Sequence, residues 1–104
     1  MMKVIWLPQV QEGKRQIANY IHRKFGFKRK KKFMQEVDQT VRMLMRVPQL
    51  GSIDPLYADR PTAYRSIIIN GLNKMIYRID DNIIYIADFW DTRCEPENQA
   101  KKTR

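Results

Sequence analysis

The predicted order of elements is strand, helix, helix and three strands. This is an α+β sandwich with a helical hairpin packed on a mainly antiparallel four-stranded sheet. Three observations predict it. Asn70-Gly71 is the strongest short hairpin signal, because both central positions of a type I′ turn need positive φ. Asp81-Asn82 supplies a second two-residue turn, so the last third of the chain reads as strands over 62–69, 73–80 and 83–90. Between Pro8 and Pro48, apolar residues recur at helical spacing with a break at Gly26.

Residues 3–7, within the opening Val4-Ile5-Trp6-Leu7-Pro8, form a short strand. Pro8 suits its end or the first turn of the helix that follows. Val10, Ile17, Tyr20, Ile21 and Phe25 mark the apolar stripe of that helix, and Gly26 is placed to end it in a left-handed conformation. A second helix runs from about 28 to 46 on the stripe Phe33, Val37, Val41, Leu44 and Met45, with Met34 beside it, and Pro48 stops it. Residues 48–61 hold three prolines and a glycine and read as a loop whose Leu50, Ile53 and Leu56 pack down. Residues 1–96 are expected to be a single domain and 97–104 a polar tail.

With two-residue turns, residue 69 faces 72 and residue 80 faces 83. That parity puts Arg65, Lys74, Arg78, Tyr85, Phe89 and Asp91 on one face, joined by Arg93 if the strand continues. Met75, Tyr77, Ile79, Ile84, Ile86 and Trp90 share the other, which is the expected core. A turn with one extra residue would exchange these sets.

The formal charge of +9 lies in one region: residues 14–46 hold eleven Lys/Arg against Glu36 and Asp38, and the rest of the chain is neutral. Such asymmetry suggests an acidic or polyanionic partner, against the alternative of a solvated helix surface. The run Lys28-Arg29-Lys30-Lys31-Lys32 opens the second helix, where the helix dipole disfavours cations, and is a candidate nucleic-acid or partner contact. Cys94 is the only cysteine, so no internal disulfide can form and a reducing compartment fits. The only histidine, His22, lies in a predicted helix far from it, so Cys94 reads as a bystander thiol. No ligand spacing supports a metal or cofactor. No apolar run is long enough for a secretory signal or a membrane span, and the expected location is the cytoplasm.

Taken in order, Val4-Ile5-Trp6-Leu7-Pro8, Tyr20-Ile21 with Phe25-Gly26, Pro48-Gln49-Leu50-Gly51, Tyr64-Arg65, Lys74-Met75-Ile76-Tyr77-Arg78-Ile79 and Phe89-Trp90-Asp91-Thr92-Arg93-Cys94-Glu95-Pro96 resemble the RelE/ParE superfamily of type II toxin–antitoxin toxins, which includes plasmid stabilisation proteins. The resemblance spans nearly the whole chain. It implies a growth-arresting toxin held by a cognate antitoxin in a hetero-oligomer, and two classes of target. ParE-like members poison DNA gyrase. RelE-like members enter the ribosome and cut mRNA without a metal, using cations to stabilise the phosphorane. Lys74, Arg93 and Arg65 match basic positions of that nuclease machinery.

The departures from the nuclease pattern are two. Asp91 stands where some relatives have a histidine, and no tyrosine follows Tyr85. Asp91 could serve as a general base, although a structural ion pair is the simpler reading. Lacking a clear acid–base pair, the sequence leans to the ParE-like side. The remaining alternatives are the mRNA endonuclease and a degenerate toxin that retains only antitoxin binding. In the gyrase reading, the basic run and the face carrying Arg78, Tyr85 and Phe89 become candidate partner contacts.

Overall fold

The computed structural model describes residues 2–91. Strand β1 (Lys3–Trp6) leads into helix α1 (Pro8–Phe25), with Pro8 at its first position, where the missing N–H costs nothing. Gly26 alone joins α1 to α2 (Phe27–Arg46). Its φ of 94° and ψ of 176° belong to a region open essentially to glycine, so the tight hairpin depends on that residue. A turn of 3₁₀ helix over Pro48–Leu50 then brings the chain to the short strand β2 (Ser52–Ile53). A second 3₁₀ turn, Pro55–Tyr57, precedes β3 (Arg65–Ile69), β4 (Asn73–Asp80) and β5 (Ile83–Asp91).

The α+β architecture is the one expected, with one strand more. The sheet has five strands in the order β1-β5-β4-β3-β2, because the segment expected to be only loop contributes β2, paired antiparallel with β3. β1 runs parallel to β5, which the long αα connection allows, and the other pairings are antiparallel.

The helices cover one face. Val10 and Ala18 of α1 and Phe33, Val37 and Leu44 of α2 meet Ile69, Met75, Tyr77, Ile84, Ile86 and Phe89 of the sheet in the main core. A smaller cluster fills the other face, where Tyr57, from the loop, covers Ile76, Ala87 and Trp90, with Leu7, Leu56 and Tyr64 packed around them.

Two irregularities correct the expected faces. At Asn70-Gly71 both residues have positive φ, 50° and 74°, and the Leu72 amide donates to the Ile69 carbonyl at 3.2 Å, as a type I′ turn requires. The register, however, pairs Ile69 with Asn73, so Leu72 is an extra residue and β3 is inverted relative to the two-residue expectation. In the second hairpin, Asp80 pairs with Ile83 as expected, but Ile76 pairs with Asp88 while Tyr77 pairs with Ile86. Ala87 is the bulged residue, and everything beyond it changes face.

Candidate functional site

The first inversion separates residues that the sequence grouped together. Arg65 pairs with Tyr77 and so lies on the helix-covered side, whereas Lys74 and Arg78, at alternate positions of β4, point to the opposite face. Arg65 is half-buried there, and its Nη1 donates to the carbonyl of Gly51 at 2.8 Å and more weakly to that of Gln49 at 3.4 Å. Beside it the Tyr77 hydroxyl donates to the Pro48 carbonyl at 2.7 Å and accepts from the Gly51 amide at 2.8 Å. Burial raises the Tyr77 pKa above its ordinary value near 10, partly offset by the Gly51 N–H and the positive charge of Arg65. Gly51 is forced by contact rather than by backbone angle, since a Cβ there would come within 2.7 Å of the Ser66 carbonyl oxygen and 2.8 Å of the Tyr77 ring.

On the opposite face Lys74 is not a free cation. Its ammonium pairs at 2.5 Å with Asp54 Oδ2, whose side chain is 2% exposed against 18% for Lys74. The other carboxylate oxygen, Oδ1, accepts from the Leu56 amide at 2.9 Å and caps the turn that carries Tyr57. The cation is therefore tied to the loop that closes the small core. Next along β4, the Arg78 guanidinium lies 4.3 Å from the centre of the Tyr85 ring, and both residues are half-buried. Their pairing in register was expected and is found.

The second inversion buries Phe89. It is 8% exposed, with its ring edge-on to Phe33 at 6.0 Å and 6.5 Å from Trp6, so it is a core residue rather than part of the open face. Trp90, expected in the main core, instead faces the other way, against Ile76 and Tyr57. Asp91 ends β5 at the register position opposite Asn73. Its side chain, together with Arg93 and Cys94, lies outside the described residues.

Lys28, Arg29, Lys31 and Lys32 are exposed on the first two turns of α2, and Lys30 is half-buried. They are far along the fold from Lys74 and Arg78, on the opposite side of the sheet. The residues that organise the site but were missed in the sequence are Asp54, Tyr77 and Gly51. The one available signal was the Gly51 position itself, a glycine among prolines in a loop whose neighbours are apolar. Among the described residues no group of three His, Cys, Asp or Glu side chains could hold a metal ion, and no helix is long and apolar enough to cross a membrane.

Comparison with known proteins agrees with this architecture. No curated protein gives a significant match. Among solved structures, a chain of the chromosomal ParDE TA system from P. aeruginosa superposes with a TM-score of 0.70 over 88% of this chain and 96% of that one, at 18% sequence identity, which establishes a shared fold. The sequence model for the ParE toxin of the type II toxin–antitoxin system parDE matches residues 4–95, from the first strand to beyond the last. Because that sequence model covers nearly the whole chain, with the fold in agreement, the chain belongs to the ParE toxin family of type II toxin–antitoxin systems.

Proposed function

We propose that this toxin arrests growth by binding DNA gyrase in the cytoplasm and is neutralised by a cognate antitoxin. The observation that carries the choice of target is the separation of Lys74 from Arg65. Metal-free cleavage of RNA needs cations converging on one phosphate. Of the two candidates among the described residues, Lys74 is neutralised by Asp54 and Arg65 is spent on backbone carbonyls across the sheet. A fold used for protein recognition needs no such convergence, and Arg78 and Tyr85 remain as a half-buried cation and ring suited to a protein contact.

For the antitoxin, the helical hairpin offers a shallow groove between α1 and the β3–β4 turn, flanked by exposed Tyr20 and Leu72 and floored by Ile17 and Phe89. An amphipathic segment carrying acidic residues fits it, with its apolar side in the groove and its charge beside the basic helices. Complex formation is expected to weaken as salt rises, measured by titration calorimetry at two ionic strengths.

The test of the target is a supercoiling assay with purified gyrase, relaxed plasmid and the toxin freed of its antitoxin. Supercoiling is expected to fall with toxin concentration. Untouched supercoiling at high concentration, together with cleavage of translated mRNA in a reconstituted system, would transfer the proposal to the nuclease reading. Absence of both activities, with tight antitoxin binding intact, would identify a degenerate toxin.

A further inference from the structure

The helix α2 opens with no acidic residue in its first turn and a run of cations that its own dipole disfavours. The helical geometry shows where those charges go. At 3.6 residues per turn, Lys28, Lys31, Lys32, Gln35, Gln39, Arg42 and Arg46 all lie within about 60° of one line along the helix. All seven are exposed. Phe33, Val37 and Leu44 occupy the opposite side and are buried against the sheet. The nearest acids, Glu36 and Asp38, sit about 80° to either side of that line. Among the described residues, only Lys32 of the five cations has an acidic partner, Glu36 at 3.9 Å, and its side chain remains 74% exposed.

We propose that this outer face of α2 is a docking surface for double-stranded DNA, gripping its phosphate backbones without regard to sequence. This goes beyond the choice of cellular target and does not depend on it. The face carries five cations and no acid over about 27 Å of helix. They fall into two groups, Lys28, Lys31 and Lys32 at one end and Arg42 and Arg46 at the other, with Lys32 and Arg42 about 15 Å apart along the axis. Two phosphate backbones flanking a major groove about 12 Å wide present the matching pattern. Gln35 and Gln39 lie between the groups, where side chains that donate and accept hydrogen bonds would face the base edges.

Other occupants fit less well. A single strand is held largely by stacking on exposed aromatic rings. The exposed rings nearby, Phe25 and Phe27, sit at the α1–α2 corner, under the Arg29 guanidinium and against His22. A membrane surface needs an apolar stripe beside the charge, and the apolar stripe of α2 is buried. A protein partner needs apolar anchors in a pocket, and the hollow on this face, lined by Gln39, Arg42, Met43 and Arg46, has Met43 as its single apolar side chain.

The experiment is fluorescence anisotropy with the full-length toxin and a labelled random duplex of about three helical turns, between about 50 and 200 mM salt. The wild type is expected to bind with a log–log salt slope of about −4.5, near −0.9 per phosphate neutralised. Replacing Lys28, Lys31 and Lys32 with Gln should shallow the slope by about 2.7, and replacing Arg42 and Arg46 with Gln by about 1.8. A control, Lys3→Gln with Arg15→Gln, removes as many charges as the arginine pair but from outside the face, and should leave the slope in place. The proposal is overturned if duplex binding is absent at the lowest salt. It is equally overturned if the control shallows the slope as much as the α2 variants, or if a single strand of equal length or polyglutamate binds more tightly than the duplex.

Discussion

The helix-covered face of the sheet and the face beneath the loop that carries Tyr57 bury their side chains by different means. On the first, two regular helices lay a periodic apolar stripe over Met75, Ile84 and Ile86, and the hydrophobic effect suffices. On the second, no regular element is available. Tyr57 reaches Ile76 and Trp90 from an irregular loop, and that loop is held by polar contacts of Asp54 with Lys74 and with the Leu56 amide, and by the tilted rings of Tyr57 and Tyr64 at 5.2 Å. A core closed by a helix can be built from pattern alone. A core closed by a loop needs individual hydrogen bonds and ion pairs to replace the missing periodicity, and Lys74 is engaged in that structural role here.

The largest expected effect attacks that second face. Lys74→Ala leaves the Asp54 carboxylate buried without its counter-ion and is expected to cost about 3 kcal/mol, measured by urea denaturation. Lys74→Met combined with Asp54→Asn removes both charges, keeps an acceptor for the Leu56 amide and should recover most of the loss. If Lys74→Ala is as stable as wild type while toxicity disappears, Lys74 acts on the target rather than on the fold, and the contrast between the faces fails.

A smaller effect is expected where the loop preceding β2 meets the helix-covered face. Gly51→Ala pushes a methyl group into the Ser66 carbonyl and the Tyr77 ring, and should cost about 2 kcal/mol in the same assay. Gly13, with nothing near its missing Cβ, is the matched control: Gly13→Ala in the middle of α1 should stabilise by about 0.5–1 kcal/mol.

The smallest effect is a pH dependence. Tyr77 has its pKa raised in the folded state, so folding favours its protonated form. The stability it contributes is complete below the unfolded value near 10 and is lost as pH rises from there through the higher folded value. Denaturation midpoints measured from pH 8 to 11, to about half a unit, should fall above pH 10. Tyr77→Phe should lower stability at neutral pH by about 1 kcal/mol, because the Gly51 amide and Pro48 carbonyl lose their partner, and should flatten the alkaline fall. An alkaline fall unchanged in Tyr77→Phe would assign it to another group.

The lesson for reading such a chain lies in Leu72 and Ala87. The helices were legible because Phe33, Val37 and Leu44 repeat with a period that tolerates small errors, and all three are buried as expected. Sheet faces have a period of two, so a single unpaired residue reverses them. Leu72 moved Arg65 away from Lys74, and the bulge at Ala87 exchanged Phe89 with Trp90. Between the two irregularities the register held, which is why Arg78 and Tyr85 stayed together. The basic helix needed no register at all: its charge was visible at once, and the structure added Arg42 and Arg46 to the same line.

What the sequence by itself determined is the order of the two helices and four of the five strands, the Gly26 and Asn70-Gly71 turns, the helical core stripe, the concentration of charge in residues 14–46 and the membership of a toxin superfamily. Each of these depends on local propensity or on spacing within one element. What only the tertiary structure decided is which side chains of different strands share a face, and that Asp54, from a loop distant in sequence, neutralises Lys74. Strand register and long-range ion pairs arise from the packing of separate elements, whose alternatives differ by a single residue of slip and leave no periodic trace in the chain.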